Sequence, residues 1–217
     1  MSNCVYNEDY FERGIETGTS GYQNYRWLPE LTIPMAMTII DYLKIDRDSK
    51  ILDYGCAKGF LVKALRLLYR QAWGTDLSEY AINSADNNTR QFLELCSPFA
   101  VVPFDMDFDV VIAKDIFEHI DKDNIDHILV ELGKKSKSLF AIIPLGRNDK
   151  YIIPAYGMDV THKLAKSPEW WIERFKANNW TLKEFSYYIP GIKESWSNFK
   201  NSNGFFLLDK GRDINVE

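Results

Sequence analysis

Residues 51–59 read Ile51-Leu52-Asp53-Tyr54-Gly55-Cys56-Ala57-Lys58-Gly59. A β-prone run, KILDY (50–54), carries an acid near its end and stops at Gly55. A second glycine, Gly59, follows four residues later. Gly55 lets the backbone turn without a Cβ clash, and Gly59 permits close approach of a helix and a ligand. Leu61, Leu65 and Leu68 then recur at i, i+4 and i+7, which predicts a helix over 59–69. QAWGT (71–75) reads as a second strand ending at Asp76, with Ser78 as the N-cap of a helix to about Ala85.

Outward from this unit the alternation continues. FDVVIA (108–113) is a third clear strand. Ile125, Ile128, Leu129 and Leu132 predict a helix over 123–132, with Gly133 as its stop. SLFAIIP (138–144) is a further strand, ended by Pro144. Strands that are apolar on both faces and alternate with amphipathic helices imply a parallel sheet covered on both sides. The fold class is α/β, Rossmann-like and doubly wound. Beyond residue 150, Ser167-Pro168-Glu169 opens a helix to about Asn178. TLKEFSYY (181–188) and GFFLLDK (204–210) are separated by too few residues for a crossover helix, so an antiparallel pair at the sheet edge is expected. Residues 1–30 read as a loop or lid, followed by a helix from about Glu30 to Leu43 within a single domain spanning 31–217.

Composition narrows the function. The chain has 217 residues, a net charge of −5, 46% hydrophobic and 26% charged residues. An acidic protein is a poor fit to a nucleic-acid phosphate backbone. The longest apolar run is five residues (139–143), too short for a membrane span. The first residues show no basic-then-apolar secretory pattern. Three cysteines without a CxxC pair suggest reduced thiols and a cytoplasmic setting. Of the 31 aromatic residues, 12 fall in residues 31–150 and 19 in the flanks.

The glycine spacing bears on the ligand. A dinucleotide fingerprint needs glycine at 55, 57 and 60; the chain has Gly55, Ala57 and Phe60. Asp53 would repel a pyrophosphate, and Asp76, 23 residues on, suits a ribose diol. Both fit a ligand with adenosine, no phosphate, and a cationic amine and sulfonium, namely S-adenosylmethionine. ILDYGCAKG, WGTDLSEYAI and FDVVIAKDIFEHI together resemble the class I S-adenosylmethionine-dependent methyltransferases, in particular the type 11 group, over about residues 50–145.

The resemblance implies a seven-stranded sheet of order 3-2-1-4-5-7-6 with strand 7 antiparallel. It implies that Asp53, Gly55, Cys56, Ala57 and Gly59 surround the methionine portion, that Asp76 holds the ribose and that Leu77 packs on adenine. At the tip of strand 3, Cys96 and Ser97 are favoured for the adenine amine over Asp105. Lys114, Asp115 and Ile116 follow strand 4 near the methionine arm. Ala57 departs from the more usual glycine. Cys56 itself reads as a small buried residue rather than a nucleophile. The N-terminal segment is expected to fold over the site, with Tyr22, Tyr25, Arg26 and Trp27 as lid contacts.

Methyl transfer chiefly needs proximity and orientation, plus a base only where the acceptor loses a proton. His119 and His162 are the catalytic candidates, His162 facing the acceptor and His119 or Glu118 shaping its pocket. His127 reads as a solvated helix residue. No metal cluster is visible in the sequence pattern, so metal-independent chemistry is expected. The expected acceptor is a small molecule or a glycan or lipid-type compound. The alternatives are a cofactor-binding regulator without turnover and, disfavoured by the missing fingerprint, a nucleotide-dependent oxidoreductase.

Overall fold

The computed structural model describes residues 5–98 and 100–211; Cys4 lies outside them. The chain opens with two short helices, α1 (Glu8–Glu12) and α2 (Gly14–Thr17), then α3 (Pro29–Leu43). It continues through β1 (Lys50–Tyr54), α4 (Phe60–Leu67), β2 (Gln71–Asp76), α5 (Glu79–Asn83), α6 (Asn87–Arg90) and β3 (Leu93–Leu95). Then follow β4 (Val110–Lys114), α7 (Ile125–Lys135), β5 (Ser138–Pro144) and a small hairpin, β6 (Gly146–Arg147) with β7 (Lys150–Tyr151). The chain ends with α8 (Pro168–Ala177), β8 (Trp180–Ser186) and β9 (Asn203–Lys210).

Seven strands form one sheet in the order β3-β2-β1-β4-β5-β9-β8. β1 pairs in parallel with β2 and β4, while β9 runs antiparallel to both β5 and β8. Leaving out the small hairpin, this is the expected order with its antiparallel seventh strand.

The period-2 geometry of each strand sends alternate side chains to opposite faces. Ile51, Ile112, Phe140 and Ile142 meet Ala36, Ile39, Val62 and Leu65 of α3 and α4 on one side. Leu52, Val111, Leu139 and Ile143 meet Leu129 and Leu132 of α7 and Trp171 and Phe175 of α8 on the other. Burying each such side chain is worth about 1.5–3 kcal/mol. The Trp180 indole N–H donates to the Leu129 carbonyl at 3.0 Å, satisfying the one polar atom of a buried ring.

Three local expectations change. Residues 5–28 are not merely a loop: Asn7 caps α1 by accepting from the Tyr10 N–H at 3.2 Å, with Glu8 and Asp9 in the first turn. Gly133 lies inside α7 rather than ending it, and a Cβ there would meet only the flexible end of the Lys210 side chain. The helix ends at Ser136, whose extended backbone leads directly into β5. The strand expected at 108–113 begins at Val110, and Phe108 makes only an isolated bridge to Ser136.

Candidate cofactor cleft and its histidine end

Because β1, β2, β3 and β4 are parallel, their C-terminal ends meet at one edge, where open α/β sheets bind ligands. A cleft of about 560 Å³ opens there. Its walls include Gly55, Ala57, Asp76, Leu77, Cys96 and Ser97 at one end. Asp115, Ile116 and His119 lie at the other, under Tyr6, Tyr10 and Tyr22 of the N-terminal segment.

The turn after β1 has the demanded geometry. Gly55 and Gly59 have φ of +80° and +72°. A Cβ at Gly55 would stand 2.7 Å from Ile116, and one at Gly59 would stand 2.7 Å from Leu93. Ala57 holds φ +49°, a left-handed conformation strained for a residue with a Cβ. The Ala57 N–H donates to Asp76 Oδ2 and the Ser78 N–H to Asp76 Oδ1, each at 2.8 Å. A carboxylate offers about four lone-pair positions, and the backbone of Leu77 also bonds Asp76, so about one position remains for a ribose hydroxyl. Leu77 is 43% exposed, a large apolar side chain on the cleft wall.

Electrostatics grade along the cleft. Burial pushes the Asp53 carboxyl up to about 7; Lys114 opposes this shift and Asp76 adds to it. Burial also raises Asp76, against the pull of its backbone hydrogen bonds. A cationic amine beside Asp53 would favour its ionised form. Burial raises Cys56 well above the usual thiol range and Cys96 to about 11, so both stay protonated thiols. Burial would raise Asp115 too, but Lys114 and Lys193 on its two oxygens hold it below the usual carboxylate range. These features fit S-adenosylmethionine: an open acceptor for a ribose hydroxyl, an apolar wall for adenine, and carboxylates for a cation.

The N-terminal segment is strapped across this edge. The Ser78 hydroxyl donates to the Tyr6 carbonyl at 2.5 Å. Lys58 binds Glu12 and donates to the Tyr25 carbonyl at 2.8 Å. Tyr25 packs between Phe11, Tyr22 and Phe60. Trp27 sits apart from the cleft, its ring 5.8 Å from Phe60 and under Lys63 at 5.0 Å, while Arg26 is exposed.

The two histidines meet. Their ring centroids are 4.4 Å apart. Backbone geometry brings them together: the Glu118 carbonyl accepts the N–H groups of Lys163 and Leu164, at 2.7 and 3.1 Å. The Thr161 hydroxyl gives its only proton to Asp159 at 2.6 Å, so the 2.7 Å contact from His119 Nδ1 is an N–H donation to Thr161. His162 Nδ1 likewise donates to the Tyr156 carbonyl at 2.7 Å. Both rings are therefore Nδ1–H tautomers whose Nε2 carries the lone pair, that of His162 lying 4.0 Å from Asp159 Oδ2. Burial lowers His119 to about 4, aided by His162, and burial also lowers His162. Asp159 additionally accepts the Tyr10 hydroxyl at 2.9 Å, joining the N-terminal segment to the histidines.

Among the sequence-predicted residues, the cleft brings together Gly55, Ala57, Asp76, Leu77, Cys96, Ser97, Asp115, Ile116 and His119. His162 joins through His119. Cys56 is buried behind the turn, where a Cβ on Gly74 would strike it, and Lys114 pairs with Asp115. His127 is exposed, as expected, and its Nε2 lies 3.1 Å from the Pro98 carbonyl at the cleft rim. Sequence reasoning missed Tyr6, Tyr10 and Lys193. The signal for the two tyrosines was their i, i+4 spacing around the Asn7 cap. Lys193 carried none.

Comparison with known proteins agrees with this geometry. Residues 52–137 match the type 11 family model described as a methyltransferase domain. No curated protein matches the chain. Among solved structures, a S-adenosylmethionine-dependent methyltransferase from Clostridium acetobutylicum is similar at TM-score 0.62 and 16% identity, over 83% of this chain and 92% of that one. One from Archaeoglobus fulgidus is similar at 0.62 and 14%, over 81% and 92%. A TehB-like one from Corynebacterium glutamicum is similar at 0.59 and 16%, over 82% and 87%. At such identities the likeness is one of fold.

Proposed function

We propose that this chain, a class I S-adenosylmethionine-dependent methyltransferase, methylates a small molecule or a glycan or lipid-type acceptor bound at the histidine end of its cleft. The observation that carries the reading is the cleft itself. One end offers Asp76 and Leu77, suited to a nucleoside, and the other is walled by Tyr6, Tyr10, Tyr22 and His119. Aromatic walls with a few polar groups suit a compact, partly apolar acceptor. The net charge of −5 disfavours a polyanion.

S-adenosylmethionine supplies an already activated methyl group. The chain's residues supply position: Asp76 for the ribose, Asp53 for the methionine amine, Leu77 for adenine, and Cys96 and Ser97 near the adenine edge. The Nε2 lone pair of His162 accepts the proton of an acceptor that loses one, and His119 shapes the pocket. Residues 1–30 act as a lid that stays closed through the contacts of Tyr6, Glu12 and Tyr10. Among the described residues no helix is long and apolar enough to cross a membrane; a cytoplasmic setting is part of the proposal, and the free, buried Cys56 and Cys96 support it.

The test is release of S-adenosylhomocysteine across a panel of hydroxylated aromatics, sugars and polyprenyl-linked sugars. Turnover with one class supports the reading. Binding of S-adenosylmethionine without turnover on any of them favours a cofactor-binding regulator instead.

A further inference from the structure

Glu118 is fully buried, and among the described residues neither of its carboxylate oxygens meets a side-chain partner; only its own backbone N–H approaches the carboxyl. A buried carboxylate without partners is expensive, and buried charges are ordinarily paired or bind metal. The nearby lysines are engaged elsewhere: Lys114 and Lys193 both bind Asp115. Asp115 itself acts on Glu118 as a like charge, and the histidine pair stands beside Glu118 as well. One donor atom from each of Glu118, His119 and His162 lies within 4.8 Å of the others.

The pair is prepared in the form that metals bind. Each Nδ1–H is fixed by a hydrogen bond, to Thr161 and to the Tyr156 carbonyl, leaving each Nε2 lone pair uncommitted by those bonds. Thr161 is itself oriented by the Asp159 carboxylate. Such carboxylate- and carbonyl-oriented histidines are the usual outer support of a metal site.

We propose that Glu118, His119 and His162 bind a divalent first-row transition cation, such as Mn²⁺, Co²⁺ or Zn²⁺, at the acceptor end of the cleft. Two histidines and a carboxylate suit such ions, and three protein ligands leave coordination positions open for water or an acceptor oxygen. With bonds of about 2.0–2.2 Å, tetrahedral ligand atoms stand roughly 3.3–3.6 Å apart. Side-chain rotation of an ångström or so closes the present spacing. This revises the sequence-based expectation of metal-independent chemistry; ligands at 118, 119 and 162 are too dispersed to read as a motif. A bound cation takes up the Nε2 lone pair of His162, so the base role proposed above belongs to the cation-free chain; the cation's role toward an acceptor rests on the function proposed above, whereas its binding does not.

The test uses the full chain, stripped with chelator and titrated with Co²⁺ by equilibrium dialysis and visible absorption. The expected result is about one equivalent bound, with a ligand-field band. Glu118→Gln and His162→Ala should each lower affinity at least tenfold and abolish the band. Thr161→Val, which removes no ligand but takes away the hydroxyl that holds His119 and bonds Asp159, should lower it about 10–100-fold. Thermal melts of the stripped proteins report folding; burial holds the Glu118 carboxyl well above the usual carboxylate range, so Glu118→Gln exchanges one neutral polar group for another of similar shape and is expected to melt close to the parent. Uptake below about a tenth of an equivalent at millimolar Co²⁺, or equal uptake in parent and Glu118→Gln, overturns the site. S-adenosylmethionine titrations of the stripped chain separate this failure from failure of the methyltransferase reading.

Discussion

At the end of the cleft proposed for the nucleoside, Asp76 is held by the N–H groups of Ala57 and Ser78, from the adjacent strand's turn and its own. At the histidine end, side chains hold each other across the chain. His119 and Thr161 are 42 residues apart, and Tyr10 and Asp159 are 149 apart. The first end is backbone geometry that any chain with this turn can repeat. The second depends on particular side chains from separate segments. Binding and reaction should therefore fail separately when each end is altered.

His162→Ala should have the largest effect, lowering kcat about 10²–10⁴-fold for an acceptor that loses a proton, while S-adenosylmethionine affinity stays within about twofold. Steady-state kinetics beside calorimetry checks this, and parallel loss of both would erase the division between the ends. Asp76→Ala should act the opposite way. It removes a charged hydrogen bond worth about 1.5–3 kcal/mol, so S-adenosylmethionine affinity should fall by up to about 100-fold. Removal of residues 1–28 takes away the strap joining the two ends. An affinity loss of about tenfold is expected by calorimetry, with melting to confirm folding; unchanged affinity would remove the lid.

A pH titration sharpens the comparison further. Asp53 sits near 7 in the folded chain, above its ordinary value, so it carries a proton at lower pH. A cationic amine needs the carboxylate, so S-adenosylmethionine affinity should rise with pH up to about 7 and level above it. Well below 7 the fall should approach tenfold per pH unit. Asp53→Asn should bind more weakly and flatten that profile; an unchanged slope would place the amine elsewhere. The smallest effect is expected at Ala57, whose φ of +49° costs about 1–2 kcal/mol against glycine. Ala57→Gly regains part of this, offset by about 0.4–1 kcal/mol of unfolded-chain entropy. Its melting temperature should rise by no more than about 2–4 °C.

The same contrast explains what could be read from sequence. Lys50 to Ser78 was legible because its determinants are local: an apolar run, two glycines, an acid at the next strand tip and a capping serine. The antiparallel edge pair followed from a short connection. Gly133 misled because a glycine within a helix costs only about 1 kcal/mol, which the packing of Leu129 and Leu132 on the sheet outweighs. The positions of His119 and His162 at the sheet edge were readable. Their mutual contact, fixed by the Glu118 carbonyl and the Asp159–Thr161 pair, was not, since it exists only after the chain between them has folded. The aromatic-rich flanks behave likewise: Trp171, Phe175 and Phe206 became core, Tyr6, Tyr10 and Tyr22 became cleft wall, and composition alone did not sort them.

The most direct measurement is a crystal structure of the chain with S-adenosylhomocysteine. The expected result places a ribose hydroxyl on Asp76, adenine against Leu77 near Cys96 and Ser97, and the sulfur directed toward His119 and His162. A nucleoside seated elsewhere, such as the cavity between Tyr187, Trp196 and Phe205, with Asp76 untouched, would contradict it.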